Sequence, residues 1–150
     1  GDYAKILAVA ALDEDINRHV NFCRRTLNTL GHKVASRVAP TYHLVEQLER
    51  VGDCYKRLCF VAAETEPASK RWLNDLLADA NFFVRKFYEL YYEFSLVGVA
   101  EFWKERERLE KSVAASFELA GKRELPIVFA ISEIIDNMAG ANGALLTARL

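Results

Sequence analysis

The chain has 150 residues, 51% apolar and 27% charged, with 20 basic residues against 21 acidic ones and a net charge of −1. That length suits one domain with a sizeable core and no need of disulfides or a structural metal. The even charge balance offers no basic field for nucleic acid, and neither a membrane-spanning apolar run nor a signal peptide is visible.

Cys23, Cys54 and Cys59 are odd in number and lack CxxC spacing, so they read as free thiols of a cytoplasmic protein rather than a disulfide framework or a zinc site. Three prolines and seven glycines punctuate the chain, and nowhere does a period of two persist over a strand length. The expected fold class is therefore all-α, an antiparallel bundle of about five long helices.

The first helix is expected from Asp2, as N-cap, to Leu30, with Leu12, Ile16, Val20, Cys23, Leu27 and Leu30 on its apolar stripe. Gly31 follows in the position that favours a left-handed residue. Pro40 places the start or a kink of the second helix, which continues to about Glu64. Within it, Leu44, Leu48, Val51, Tyr55 and Leu58 keep a helical period straight through Gly52-Asp53, a pair that elsewhere signals a turn. A glycine inside a helix costs roughly 1 kcal/mol against alanine, so Gly52 implies close approach of a neighbouring backbone. Glu49 and Asp53, four residues apart, share one face beside it.

Thr65-Glu66-Pro67 reads as the start of a third helix reaching Ser95. Aromatic residues crowd its second half from Phe82 to Phe94, too many for one stripe. They imply either a helix buried on most sides or an exposed patch that meets a partner. Gly98 marks a break or a kink before a fourth helix, whose Lys104-Glu105-Arg106-Glu107-Arg108 run reads as a solvated face laced with ion pairs. Gly121 ends it. A fifth helix begins near Glu124-Leu125-Pro126 and carries Ile131, Ile134, Ile135 and Met138, with a tail weakened by Gly140 and Gly143.

An internal echo runs through this order. A helix ending at Gly31, a proline and a helix bearing Glu49 and Asp53 are followed later by a helix ending at Gly121, Pro126 and a helix bearing Ser132 and Asp136. The spacings differ by about two helical turns, which keeps the shared face.

Leu48-Glu49-Arg50-Val51-Gly52-Asp53 resembles the signature helix of the PhoU phosphate-uptake regulators, and the acidic run Leu12 to Arg18 is similar to the start of that family's preceding helix. The resemblance covers nearly the whole chain and implies tandem three-helix repeats, 1–64 and 65–150. Only five helices are expected, so the first repeat lacks its first helix and the chain is expected to start late within a longer protein. The resemblance further implies an oxygen-ligand site for a divalent or iron-type metal ion. Carried over residue by residue, it uses Asp13, Glu49 and Asp53 in the first repeat and Asp136 in the second. Asn17 stands where a second carboxylate belongs, and Ser132 replaces a glutamate. Glu101 and Glu105 are the partner acids expected for Asp136.

Neutralisation of the acidic face by Arg18, Arg50 or Lys56 is the alternative to metal. His19, His32 and His43 are scattered, with no metal-enzyme spacing, and no phosphate-binding glycine loop is present. Di-iron bundles need Glu-x-x-His pairs that this chain lacks. The expectation is a non-enzymatic regulator of phosphate transport and signalling, homodimeric, docking on a phosphate transporter or sensor protein. The alternative is a helical dimerisation or regulatory module of a larger transcription regulator or ion-transport protein.

Overall fold

The computed structural model describes residues 3–65 and 70–150, and these are helical apart from short connections. Six helices follow one another: α1 (Tyr3–Ala11), α2 (Asp13–Leu30), α3 (Val38–Thr65), α4 (Arg71–Tyr92), α5 (Leu96–Leu119) and α6 (Leu125–Arg149). A 3-10 turn, Ala35–Arg37, leads into α3. No strand occurs among the described residues, as the periodicity predicts.

The expected first helix is two. At Leu12 the amide bonds back to the Val9 carbonyl at 3.1 Å, a tighter turn than the α-helical one, and Asp13, Glu14 and Asp15 then occupy the first turn of α2. Three carboxylates favour a helix N-terminus, where the dipole is positive, and that preference accompanies the break. The expected cap at Asp2 and the expected helix start at Glu66 and Pro67 lie outside the described residues. Among described residues α4 begins at Arg71 and ends at Tyr92, short of Ser95.

Ser95 instead caps α5, its hydroxyl accepting from the Gly98 amide at 3.0 Å. Gly98 thus belongs to the first turn of α5 and breaks nothing. Gly31 has φ 69° and ψ −155°, a positive-φ conformation open to glycine but not the left-handed helical one expected after α2. Pro40 falls in the first turn of α3 and Pro126 in that of α6, where a missing amide hydrogen leaves no helical bond unmade.

α6 is the axis of the molecule. It is apolar nearly all round, as a helix enclosed by neighbours must be, and Val128, Ile131, Ile134, Met138 and Ala141 are fully buried. On one side it packs against α3; on another, α4 and α5 complete a three-helix unit with it. α3 and α6 run antiparallel: Gln47 meets Gly140, Cys54 meets Asn137, and Arg57 pairs with Glu133. The tail of α6 is well packed, contrary to the weakening expected from its glycines. A Cβ at Gly140 would lie 3.0 Å from the Gln47 amide oxygen, so the small residue admits Gln47. In the three-helix unit, Phe83 and Phe102 stack at 4.2 Å between centroids and Phe87 meets Phe102 edge-on at 6.1 Å.

α1 and α2 together form a kinked rod along α3. Gly52 marks the crossing with α2. A Cβ there would come within 3.0 and 3.3 Å of two carbons of the Ile16 side chain and 3.8 Å from Asp13 Oδ1. The close approach expected of a glycine mid-helix is real, and the nearest neighbour is a side chain rather than backbone.

Candidate functional site: an acidic face between α2 and α3

Asp13, at the start of α2, points into the crossing and is only 3% exposed. The α2–α3 register sets its partners. Lys56, one turn past Gly52 on α3, reaches Asp13 Oδ2 at 2.7 Å, and Asn17, one turn along α2, donates to the same oxygen at 3.0 Å. The other oxygen, Oδ1, is buried and has no hydrogen-bond partner. Buried acceptors are usually satisfied, and one left open calls for an explanation such as a bound ion or water. Asn17 thus has a positive role: where a carboxylate would repel Asp13, its amide donates.

Glu49 and Asp53 lie on the same side of α3. Arg24 of α2 bridges Glu49 and Glu46, a pairing that the sequence leaves hidden because the two helices must first be placed in register. The carboxyl of Asp53 is pushed above the usual aspartate range by burial first, then by the charges of Asp13 and Glu49, against the opposing pull of Lys56 and Arg57. The same surroundings raise Lys56, through its bond to Asp13 and their mutual attraction. The charges of Asp13 and Glu49 both reach Asp53, so the three acids share this side of the crossing, with Asp13 held by Lys56 and Glu49 by Arg24. Of the three cations the sequence offers for neutralising the face, Lys56 takes the central place, while Arg18 pairs with Asp15 away from it.

Asp53 also lines a cleft of about 450 Å³ between α3 and α6, with Arg50, Cys54, Arg57, Glu133 and Asn137. Asn137 donates to the Glu133 carbonyl at 2.8 Å and approaches the buried Cys54 thiol at 3.5 Å. The cleft is of mixed charge, and Arg57 is already engaged by Glu133.

Asp136 does not join this group. It sits on α6, mostly exposed, 3.7 Å from Arg106 of α5, which also holds Glu110 at 2.8 Å and lies over the Trp103 ring. Of the acids expected beside Asp136, Glu105 is taken by Arg108 at 2.7 Å, and Glu101 lines a separate pocket with Lys86 and Glu93. In the second half, then, an arginine stands against the echoed aspartate.

As the side chains stand, no three His, Cys, Asp or Glu residues among the described ones are arranged to hold a metal ion. The Lys56 ammonium fills the place beside Asp13. A cation at this face would meet the open Oδ1 of Asp13 and the Asp53 carboxylate, and Glu49 would join only on release from Arg24. Lys56 has a route out, since its side chain is 41% exposed.

No helix among the described residues is long and apolar enough to cross a membrane. No protein-family model matches the chain, and no match was found among curated proteins or solved structures.

Proposed function

We propose that this chain is a PhoU-like regulator, a binding protein rather than an enzyme, whose acidic face exchanges the Lys56 ammonium for a hard divalent or iron-type cation. The observation that carries the reading is Asp13: a carboxylate held in a helix crossing, with one oxygen on a displaceable lysine and the other without a partner. A buried charge is tolerated when paired, and a multivalent ion with oxygen ligands offsets the mutual repulsion of Asp13, Glu49 and Asp53 better than one ammonium can. The helical hairpins and the Leu48–Asp53 segment support the family resemblance. From that resemblance we propose docking on a phosphate transporter or sensor protein in the cytoplasm.

Thermal unfolding with added Mn²⁺, Mg²⁺ or Ca²⁺ and with chelator tests the cation exchange. A ligand that binds only the folded state raises the midpoint. The expected result is stabilisation of the parent by at least one of these ions, loss of that response in Asp53→Ala, and a stronger response in Lys56→Met, where the competing ammonium is gone. Equal, flat responses in all three proteins would reduce the face to an ion-pair network. The second reading, a dimerisation module of a larger regulator, is favoured by an apolar groove on the opposite flank of α2 and α3.

A further inference from the structure

Between α2, α3 and the last two turns of α4 lies an apolar groove of about 460 Å³, floored by Leu44, Val45 and Leu48 and walled by Phe22, Leu27 and Phe87. A second hollow of about 150 Å³ adjoins it at the end nearest the start of α3. Thr41, Leu44 and Tyr91 line both, so the two meet along a common sill. The second hollow differs in kind, for it carries His32, Arg37 and Arg149. Neither is lined by an aspartate or a glutamate, in a chain with 21 acidic residues.

The three basic side chains are not equally engaged. Arg149, the last residue of α6, donates to the Tyr91 carbonyl at 2.8 Å, lies over the Tyr91 and Phe94 rings and answers the negative end of its own helix. His32 accepts the Val34 amide at Nδ1 over 3.0 Å, which leaves Nε2 of the ring to donate elsewhere. Arg37 is half-buried, yet its side chain has no ion pair or hydrogen bond among the described residues. It also stands immediately before α3, at the positive end of a 28-residue helix, where a cation is disfavoured. A guanidinium in that place, with no acid lining its hollow, lacks the counter-charge that burial of a charge calls for.

We infer that the two hollows form one site for a straight-chain carboxylate, its head on Arg37 and its tail in the groove. A guanidinium takes a carboxylate through two parallel hydrogen bonds, and a mostly apolar cavity with a few convergent polar groups is the usual form of a small-molecule site. The tail length follows from α3. From Thr41 to Leu48 the helix rises about 10 Å, which about eight carbon–carbon bonds of about 1.5 Å span in zigzag. Shape favours a narrow guest: Phe22, Tyr88 and Tyr92 are 70%, 62% and 67% exposed and stand as rims over the groove. A flat membrane surface would meet those rims and leave the floor of Leu44 and Val45 empty. None of these residues belongs to the Asp13–Lys56 face, so the site stands whether or not a cation binds there.

Titration calorimetry with butyrate, hexanoate, octanoate and decanoate, each below its micelle-forming concentration, provides the test and needs no variant. Affinity is expected to rise about three- to fourfold for each methylene that enters the groove. The alcohol 1-decanol, with the same tail and no charge, should bind at least tenfold more weakly than decanoate. Arg37→Gln should weaken decanoate at least tenfold and leave 1-decanol unchanged, whereas Phe22→Glu should weaken both. Phe22 is exposed and the Arg37 side chain bonds to nothing among the described residues, so both variants should keep the parent's helical circular dichroism. Phe129→Glu, exposed on α6 and lining neither hollow, should bind as the parent does. A parent that takes up no decanoate because a second copy covers the groove, or that attaches to lipid vesicles alone, would overturn the inference. So would affinity indifferent to chain length, decanoate no tighter than 1-decanol, or binding unmoved by Arg37→Gln and Phe22→Glu.

Discussion

In the α5–α6 hairpin, α4 lies across the apolar face and drives Phe83, Phe87 and Leu90 into it, leaving Phe102, Leu109 and Ile134 with almost no exposure. In the α2–α3 hairpin Val20, Leu27, Leu44, Val51 and Leu58 are buried, but Phe22, Leu30 and Leu48 remain open to solvent. The polar faces differ in parallel. The second half sets the half-buried Arg106 against an exposed Asp136, whereas the first half buries Asp13 and leaves one of its oxygens unsatisfied. One hairpin plan is thus finished as a closed core in one half. In the other it is left with an uncovered apolar side and a buried carboxylate beside an exposed lysine, and such free surface is what binding uses.

The largest way to sharpen this contrast is to hollow each half in turn. Phe102→Ala removes a ring that touches Phe83, Phe87 and Trp103, and an enclosed aromatic truncation costs about 3–5 kcal/mol. Phe22→Ala, equally large but 70% exposed, should change stability by under about 0.5 kcal/mol in the monomer. Urea titration of the two variants at low protein concentration checks this. Similar losses in both would mean that the first half is as closed as the second.

Next in size is the buried ion pair. Lys56→Met keeps the aliphatic stem over α2 but leaves the Asp13 charge with Asn17 alone, and an uncompensated buried acceptor costs about 1–3 kcal/mol. Arg106→Met, its counterpart against the exposed Asp136, should cost about 1 kcal/mol at most, since pairs open to solvent contribute little. Equal effects would erase the distinction between a buried and a solvated acid.

Gly52 tests the crossing itself. Gly52→Ala gains roughly 1 kcal/mol of helix propensity but must displace the end of Ile16 by a few tenths of an ångström, so near-neutrality is expected. Gly52→Leu cannot be accommodated that way and should destabilise by about 1–2 kcal/mol, with hydrogen exchange rising in α1 and α2 before α5 and α6. A stable Gly52→Leu protein with unchanged exchange would mean that α2 does not depend on this contact.

The sequence made the helices legible wherever one stripe was long enough to outvote local signals. Leu44, Gln47, Val51, Cys54 and Leu58 carry α3 through Gly52-Asp53, because burial every three or four residues outweighs the turn preference of two, and Leu48, expected on that stripe, lies at its exposed edge. The same rule hid the break at Leu12, since the stripe from Leu12 to Val20 continues across it while the change lies in the backbone and in three acids. Gly98 and Gly140 were ambiguous for another reason. What each glycine makes room for, the Ser95 cap or the Gln47 amide, sits on a neighbouring turn or another helix and has no local signature. At the site, the i, i+4 spacing placed Glu49 and Asp53 on one face, and Asp13 was named by the family resemblance. The pairing of Arg24 with Glu46 and Glu49 depends on the α2–α3 register, which sequence periodicity fixes only to within a turn. The Arg106 answer to Asp136 was missed because the charged run on α5 reads as uniformly solvated until its faces are assigned.

The smallest effect is a pair of opposite pH responses, one from each half. Asp53 in the first half has its carboxyl raised, by burial and then by Asp13 and Glu49, so its ionised form is better tolerated in the unfolded chain. The folded protein therefore carries a penalty above that raised value, and the penalty is relieved as pH falls through it toward the ordinary aspartate value of about 3.9. Glu124, between α5 and α6, has its carboxyl lowered, first by the hydrogen bond from Lys70, with the Gly121 amide adding to it. Its contribution is present above the ordinary glutamate value of about 4.3 and is lost as pH falls through the lowered one. Acidification from neutral should thus first ease the α2–α3 face and only later loosen the α5–α6 turn. Asp53→Asn should flatten the upper limb of the stability curve, and Glu124→Gln the lower. Urea midpoints read at closely spaced pH values separate the two. A Glu124→Gln profile flattened in the upper limb instead would assign the early response to the wrong half, because Asp53 is the acid of this pair whose carboxyl is raised on balance, while hydrogen bonds outweigh burial at Glu124.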